Sequence, residues 1–185
     1  MGSSVARRSV VALVAAVSLI SVAIIGSAGA VPSAAKAVLK DASGATIGNV
    51  RLTPAPDGKV LVAVSVGGLA PGFHGFHIHT IGTCTAPDFT SAGGHFNPAG
   101  AVHAGHAGDQ PVLLVNADGT AVAKFVTDRY AIGDLFDADG SALVVHAAAD
   151  NYANIPTRLS ATGADATTLA TGDAGSRVAC GLIQA

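Results

Sequence analysis

The sequence contains no tryptophan and no glutamate, and aromatic side chains make up 4% of its 185 residues. Without glutamate, any carboxylate in a functional site must belong to an aspartate. Half of the residues are hydrophobic, and much of that half is alanine and valine. Short Val, Ala and Leu runs separated by Gly, Pro, Asn and Asp favour an all-β domain over a helical one. The 23 glycines fit the many turns of such a domain.

Basic residues are also scarce, and the formal charge is −2. This balance excludes the strongly basic composition that is typical of nucleic-acid-binding domains, so we expect no nucleic-acid partner. Residues 1–30 hold two of the 10 basic residues, Arg7 and Arg8. Without that segment 8 basic residues face 12 acidic ones, and the charge becomes −4.

The apolar run from Val10 to Ile25 is short for a membrane span. Arg7 and Arg8 precede it and Ala28-Gly29-Ala30 follows it, which predicts a signal peptide over residues 1–30, cleaved near Ala30. We therefore expect an exported protein, secreted or held in the cell envelope, with no stable membrane span after cleavage. An uncleaved anchor is the alternative, and the arginine pair leaves Sec or twin-arginine export open.

The chain has two cysteines, Cys84 and Cys180. A single widely separated pair in an exported protein usually forms a disulfide. Two buried free thiols are the alternative, and they would suit a cytosolic protein better.

After a short linker, residues 31–35, the sequence predicts one domain over residues 36–185. Alternating residues such as Val60 to Val66 indicate strands, and we predict eight of them. Two long segments without periodicity, residues 80–111 and 147–176, are predicted loops, and loops of this length are usually functional or disordered. The predicted fold is an eight-stranded Greek-key β-barrel or sandwich with two functional loops.

Histidine is concentrated in the middle of the chain. His77 and His79 stand two apart in a β-prone run, so both imidazoles project from one face of a strand. A polar strand face in solvent would show the same pair, but five more ligand-type side chains follow. The seven candidate ligands are His77, His79, His95, His103, His106, Asp109 and His146.

Seven ligands can make two four-coordinate sites if one histidine serves both. A deprotonated imidazole can bind a metal through each ring nitrogen, and spacing alone does not say which histidine would do so. Copper(II) prefers imidazoles in tetragonal geometry, and zinc accepts nitrogens with a carboxylate in a tetrahedral one.

The chain resembles the copper/zinc superoxide dismutases, in the branch found in bacterial envelopes. The matching stretches occur in the family's order and span nearly all of the predicted mature chain. They are Gly72-Phe73-His74-Gly75-Phe76-His77-Ile78-His79, Thr90-Ser91-Ala92-Gly93-Gly94-His95-Phe96-Asn97-Pro98, His106-Ala107-Gly108-Asp109, Ala142-Leu143-Val144-Val145-His146-Ala147-Ala148-Ala149-Asp150 and Gly172-Asp173-Ala174-Gly175-Ser176-Arg177-Val178-Ala179-Cys180-Gly181.

The resemblance implies one copper and one zinc ion per subunit. It implies that His77, His79, His95 and His146 bind copper and that His95, His103, His106 and Asp109 bind zinc, with His95 bridging the two. Two residues separate His103 from His106, and this segment between two zinc ligands is shorter than in many family members.

The resemblance also assigns roles outside the ligand sets. Asp150 matches a carboxylate that links the two sites, and Arg177 matches the arginine at the mouth of the copper channel. His74 matches a structural histidine, and Cys84 and Cys180 match the family's disulfide. Subunit contacts vary between branches, so no oligomeric state is implied.

The implied activity is the conversion of superoxide to oxygen and hydrogen peroxide by alternating copper(II) and copper(I). Superoxide is then the substrate, His95 and Arg177 are the catalytic residues, and the role is antioxidant defence outside the cytoplasm. One alternative is an exported copper-binding or copper-buffering protein without turnover, which would not need Arg177. Another is a zinc hydrolase, which would need an open zinc position and a nearby general base.

Overall fold

The computed structural model describes residues 1–2 and 32–185. The predicted signal peptide, residues 1–30, therefore lies outside the described residues except for its first two. The chain divides between Ala30 and Val31, and every described element belongs to the unit Val31–Ala185. None of the helices in residues 32–185 has the length and apolar character needed to cross a membrane.

Residues 32–185 form nine strands and one short α-helix. The strands are β1 Ala35–Asp41, β2 Thr46–Pro54, β3 Val60–Val66, β4 Gly72–His74, β5 Phe76–His79, β6 Leu113–Val115, β7 Ala121–Thr127, β8 Ala142–His146 and β9 Arg177–Leu182. The helix is α1 Thr168–Thr171, and three 3-10 turns lie at Pro56–Gly58, Thr90–Ala92 and Ile132–Leu135.

Seven strands form one antiparallel sheet in the order β5-β8-β9-β1-β2-β3-β7, and β4 pairs with β6 in a second sheet. Neighbours such as β3 and β7, or β9 and β1, are distant in sequence, as Greek-key connections require. The sheet curls into a half-barrel with almost no helix, which confirms the predicted all-β Greek-key fold.

Alternating side chains explain why these segments pair. In β1, Ala37 and Leu39 are buried while Lys36 and Val38 are exposed. In β3, Val62 and Val64 enter the same core. Because side chains alternate across a strand, each valine-rich run supplies one apolar face and one outer face. β5 and β8 are buried throughout, since they pack on both sides.

One predicted strand, residues 73–79, is two strands in the structure, which is why nine are present instead of eight. β4 pairs with β6, and β5 pairs with β8, so the chain changes partner at Gly75. The Gly75 amide donates to Ala148, and its carbonyl accepts from His146. A Cβ at Gly75 would lie 2.6 Å from the Ala174 methyl group, so the change requires glycine.

Cys84 and Cys180 form a disulfide, which confirms the predicted pairing. It joins the loop after β5 to β9 with a Cα–Cα distance of 5.7 Å. Phe89, Ala92 and Val144 pack with it in a small apolar cluster. The disulfide therefore holds the first part of the long loop, residues 80–111, against the sheet.

We expect the loss of this disulfide to reduce stability substantially. Its cysteines are 96 residues apart, and closing a loop of that size lowers unfolded-state entropy by an amount worth about 5 kcal/mol in the chain-entropy model. The measurement is denaturant unfolding of the double variant Cys84→Ser/Cys180→Ser beside the oxidised parent. Equal midpoints and slopes for the two proteins would contradict this expectation.

Candidate metal centre

The fold brings the seven predicted ligands together in two groups that share one histidine. In each group the ligand atoms lie within 4.8 Å of one another, and all seven side chains are buried. The first group is His77, His79, His95 and His146, and the second is His95, His103, His106 and Asp109. The shared residue is His95.

Strand β5 is the base on which both groups are built. It supplies His77 and His79 directly, and its neighbour β8 ends at His146. The long loop returns to β5 twice, through isolated bridges that pair His79 with His95 and His77 with Asp109. Backbone hydrogen bonds from Phe96 to Ile78 and from Ile78 to Gly108, 2.8 and 2.9 Å, fix these returns. The loop is thus ordered by strand-like pairing where it delivers ligands.

Three imidazoles of the first group each donate one ring N–H outward. His77 Nε2 donates to Asp150 Oδ2 at 2.6 Å, His79 Nδ1 to the Gly93 carbonyl at 2.9 Å, and His146 Nδ1 to the Gly175 carbonyl at 2.9 Å. Because these acceptors have no proton to give, they fix the tautomers. In the neutral rings the opposite nitrogens carry lone pairs, and those of His79 and His146 lie 3.3 Å apart.

Burial keeps these imidazoles uncharged. It lowers the pKa of His79 well below the usual value, and it lowers the pKa of His146 to about 3, with neighbouring His77 adding to the effect. The pKa of His77 is also lowered by burial, although its hydrogen bond to Asp150 opposes the shift. Neutral imidazole is the form that binds metal ions, so the group is prepared for a cation at neutral pH.

The second group converges on one carboxylate oxygen. Asp109 Oδ1 lies 2.9 Å from His95 Nδ1, 3.1 Å from His103 Nδ1 and 3.2 Å from His106 Nδ1. The other oxygen, Oδ2, accepts the His106 amide at 3.0 Å and so fixes the carboxylate plane. Three imidazole nitrogens and one carboxylate oxygen therefore face a common point.

Aspartate holds the charge of this group. Burial alone would raise the pKa of Asp109, but hydrogen bonds from His103 and His95 hold it far below its usual range. Burial by itself would lower the pKa of His103, but its hydrogen bonds to Asp109 and Asp150 raise that pKa to about 9. Asp109 is therefore ionised, and the negative charge that stabilises a proton on His103 would also favour a metal cation in its place.

Asp150 connects the two groups. Its carboxylate accepts from His77 Nε2 at 2.6 Å and from His103 Nε2 at 2.8 Å, and it is buried. The backbone amide of Tyr152 donates a third hydrogen bond at 2.7 Å. Gly172, at φ +59°, allows this packing, because a Cβ there would collide with both Asp150 and His103. The Asp150 carboxylate therefore orients one ligand of each group, His77 and His103, at the same time.

The residues present fit two metal ions. One buried imidazole nitrogen of the first group, His77 Nδ1, has no hydrogen-bond partner within residues 32–185. A buried polar atom without a partner is costly, and a metal ion would satisfy it. Four imidazoles suit copper, and three imidazoles with a carboxylate suit zinc.

A depression of about 530 Å³ opens onto the first group. It is lined by His79, His95 and His146 together with Arg177. Arg177 donates from Nη1 to the Phe89 carbonyl and from Nη2 to the Gly93 carbonyl, both at 2.6 Å. These two bonds hold the guanidinium beside the imidazoles, where a small anion would meet it.

His74 lies outside both groups and packs at the end of β4. Its Nδ1 is 2.6 Å from the His146 carbonyl and its Nε2 is 2.8 Å from the Ala70 carbonyl. These contacts join β4 to the backbone of His146 and to the loop before β4.

Arg129 supports the second group, although the sequence did not indicate it. This residue follows β7, and its Nη1 donates to the carbonyls of Ala104 and His106 at 2.7 and 3.0 Å. The guanidinium therefore holds the short segment between His103 and His106 against the barrel. The spacing of the ligands does not predict a contact with an arginine more than twenty residues away in sequence. The only local indication is that Arg129 lies just after the end of a predicted strand.

Comparison with known proteins agrees with this geometry. The family model described as copper/zinc superoxide dismutase matches residues 46–183. A superoxide dismutase [Cu-Zn] from Mycobacterium tuberculosis is 44% identical over 138 residues, which cover 66% of this chain and 58% of the relative. One from Mycolicibacterium paratuberculosis is 39% identical over 181 residues, covering 86% of this chain and 79% of the relative.

A solved structure of a SOD-like protein from Bacillus subtilis superposes with a TM-score of 0.66 at 31% identity. The match covers 80% of this chain and 96% of that structure. The chain spans 58% of the length of the mycobacterial relative at 44% identity. Family and fold therefore agree, while the relatives extend beyond the matched region.

We expect Arg129→Ala to lower zinc content and melting temperature. The loss of two carbonyl contacts releases the segment that carries His103 and His106, and typical hydrogen bonds to a charged group contribute about 1.5–3 kcal/mol each. The measurement is metal analysis and thermal unfolding after dialysis against a weak chelator. Asp109→Ala, which removes a candidate ligand, sets the scale of complete zinc loss.

Arg158→Ala is the matched control, because it removes an exposed arginine from the second long loop. It should leave zinc and melting unchanged. An Arg129→Ala protein that holds zinc as firmly as the parent would show that the ligand loop keeps its own shape.

Proposed function

The chain belongs to the copper/zinc superoxide dismutase family, and we propose that it converts superoxide to oxygen and hydrogen peroxide as an antioxidant enzyme outside the cytoplasm. The observation that carries the proposal is the pair of buried ligand groups sharing His95 beneath an anion-sized opening lined by Arg177. A simple storage site for a metal needs neither the shared imidazole nor the arginine.

We propose that His77, His79, His95 and His146 hold copper and that His95, His103, His106 and Asp109 hold zinc. When bound, copper supplies one-electron redox chemistry, and zinc, which has no accessible second redox state, holds His95 and tunes its basicity. Asp150 orients His77 and His103 so that both groups keep their tautomers.

The residues of the chain then bind the substrate and supply a proton. Arg177 provides a fixed positive charge at the opening, and its unused N–H groups can donate to a superoxide oxygen. The Nδ1 atom of His95 faces Asp109, which leaves Nε2 on the side of the first group. That imidazole can hold a proton at Nε2 and pass it to the peroxide as it forms.

The test is a superoxide assay on protein loaded with copper and zinc, with and without a copper-selective chelator. We expect turnover that disappears when copper is removed and returns when copper is restored. His77→Ala should lose copper and activity together. Copper bound in full with no turnover would instead support the copper-buffering alternative.

We also propose that residues 1–30 are an export signal removed near Ala30. The disulfide supports this proposal, since such bonds persist in oxidising compartments. The prediction is that the protein recovered outside the cytoplasm begins near Val31, as measured by intact mass or N-terminal sequencing. A mature protein that still contains residues 10–25 would show an uncleaved anchor.

Arg177→Ala should lower the superoxide rate by roughly tenfold or more and flatten its dependence on salt, because an anion-attracting charge acts on encounter. Copper content should stay unchanged, since Arg177 bonds to carbonyls and to no ligand side chain. The measurement is rate against ionic strength, with Arg177→Lys as the control that keeps the charge. Loss of copper together with activity would give Arg177 a structural role.

A further inference from the structure

The outward side of the sheet has an unusual charge pattern. We call the outer face the eleven exposed or half-buried residues of β1, β2, β3 and β7 that form three cross-strand rows; Lys40 and Asp41, at the end of β1 that pairs with β9, lie outside these rows. None of the eleven is acidic, although the chain contains 12 aspartates. The rows are Val38, Asn49, Ser65 and Val122; Lys36, Arg51, Ala63 and Lys124; and Thr53, Leu61 and Val126.

The middle row carries all the charge of the outer face. Lys36 pairs directly with Arg51, Arg51 with Ala63, and Ala63 with Lys124. Neighbouring strands lie about 4.8 Å apart, so the row spans roughly 14 Å across three strand spacings. Three cations thus form a line across the strands, with a small alanine between the second and third.

These cations have no acidic partner. In the part of the chain that the structure describes, every ion pair joins a histidine to an aspartate. Like charges placed directly opposite each other on a sheet are destabilising, and Lys36 and Arg51 are such a pair. A sequence with this many aspartates could neutralise the row at no cost to the core, because the outer face does not enter it.

The shape of the outer face also suits a ligand. Lys36, Arg51 and Lys124 line one shallow depression of about 580 Å³, whose small central residues include Ala63 and Ser65. The cations therefore border a trough instead of standing on a convex surface.

We propose that the outer face binds a linear polyanion, a flexible chain of phosphate groups lying along the row of Lys36, Arg51 and Lys124. A single anion reaches at most the Lys36–Arg51 pair, whereas a repeating one can meet all three charges. Arginine binds phosphate oxygens in a bidentate manner, and lysine binds them as a point charge. The formal charge of the remaining surface is negative, so binding is confined to this trough.

The test uses the metal-loaded mature protein and long-chain inorganic polyphosphate, with affinity measured over a range of salt concentrations. Release of counterions gives a slope of log K against log salt of about −0.7 per contact on a flexible polyanion, so three contacts predict roughly −2. Lys36→Gln, Arg51→Gln and Lys124→Gln should each weaken binding and reduce the slope by about 0.7. Superoxide turnover should not change.

Lys59→Gln is the matched control. It removes the same charge from an exposed lysine at the turn before β3, outside the outer face. Lys36→Gln also relieves the repulsion with Arg51, so its melting temperature should equal or exceed that of the parent. This second readout separates lost binding from lost folding.

Five outcomes would overturn the proposal. Polyphosphate could fail to bind at low salt, or Lys59→Gln could weaken binding as much as Arg51→Gln does, which would indicate bulk charge. Inorganic phosphate alone could compete equally per phosphate, which would indicate a single-anion site. Charge-dependent binding to anionic phospholipid vesicles without polyphosphate binding, or self-association lost in Arg51→Gln, would assign the outer face to a membrane or to a second copy.

Discussion

A buried carboxylate between two imidazoles organises the centre of this molecule. Asp150 accepts hydrogen bonds from His77 and His103, which belong to different ligand groups. A buried charge is tolerated only when it is fully hydrogen-bonded, and these two donors with the Tyr152 amide meet that requirement. The orientation of each imidazole is therefore fixed by the same group. A change at Asp150 would disturb both ligand sets together.

The surrounding backbone is shaped to admit this carboxylate. Gly172 has a positive φ, and any Cβ there would occupy the space of Asp150 and His103. The amide of Asn151 donates to the Gly172 carbonyl at 2.9 Å, which ties the start of the second long loop to its end. Gly172 therefore takes part both in closing the second long loop and in orienting the ligands through Asp150.

On the opposite side of the first group, one carbonyl serves two functional side chains. Gly93 O accepts from His79 Nδ1 at 2.9 Å and from Arg177 Nη2 at 2.6 Å. The segment that carries Gly93 is held by the apolar cluster around the Cys84–Cys180 disulfide. The covalent bond therefore supports both the direction of an imidazole and the position of the cation at the opening.

The sequence was informative where a residue's neighbours along the chain determine its environment. Alternation predicted β3 to the residue, and the i, i+2 spacing placed His77 and His79 on one side of β5. It failed at Gly75, where the change of strand partner depends on β6 and β8, which are far away in sequence. The convergence of His103 and His106 on Asp109 across a short excursion likewise depends on contacts such as those of Arg129.

The net charge gave the least information about where charged side chains lie on the surface. A formal net charge near zero suggested no basic surface, yet the strand register places Lys36, Arg51 and Lys124 in one row.

At the opening above His79 and His146 the two signs of charge occur together, because Asp173 lines this opening beside Arg177. Asp173 Oδ2 accepts from Asn151 at 2.6 Å and Thr168 at 2.9 Å, so its charge is partly satisfied within the loop. The negative charge of Asp173 reduces the attraction between Arg177 and a distant anion. Salt screens the remaining attraction over about 8 Å at physiological ionic strength. Attraction at this opening is therefore short-ranged and depends on how closely Arg177 is held to the imidazoles.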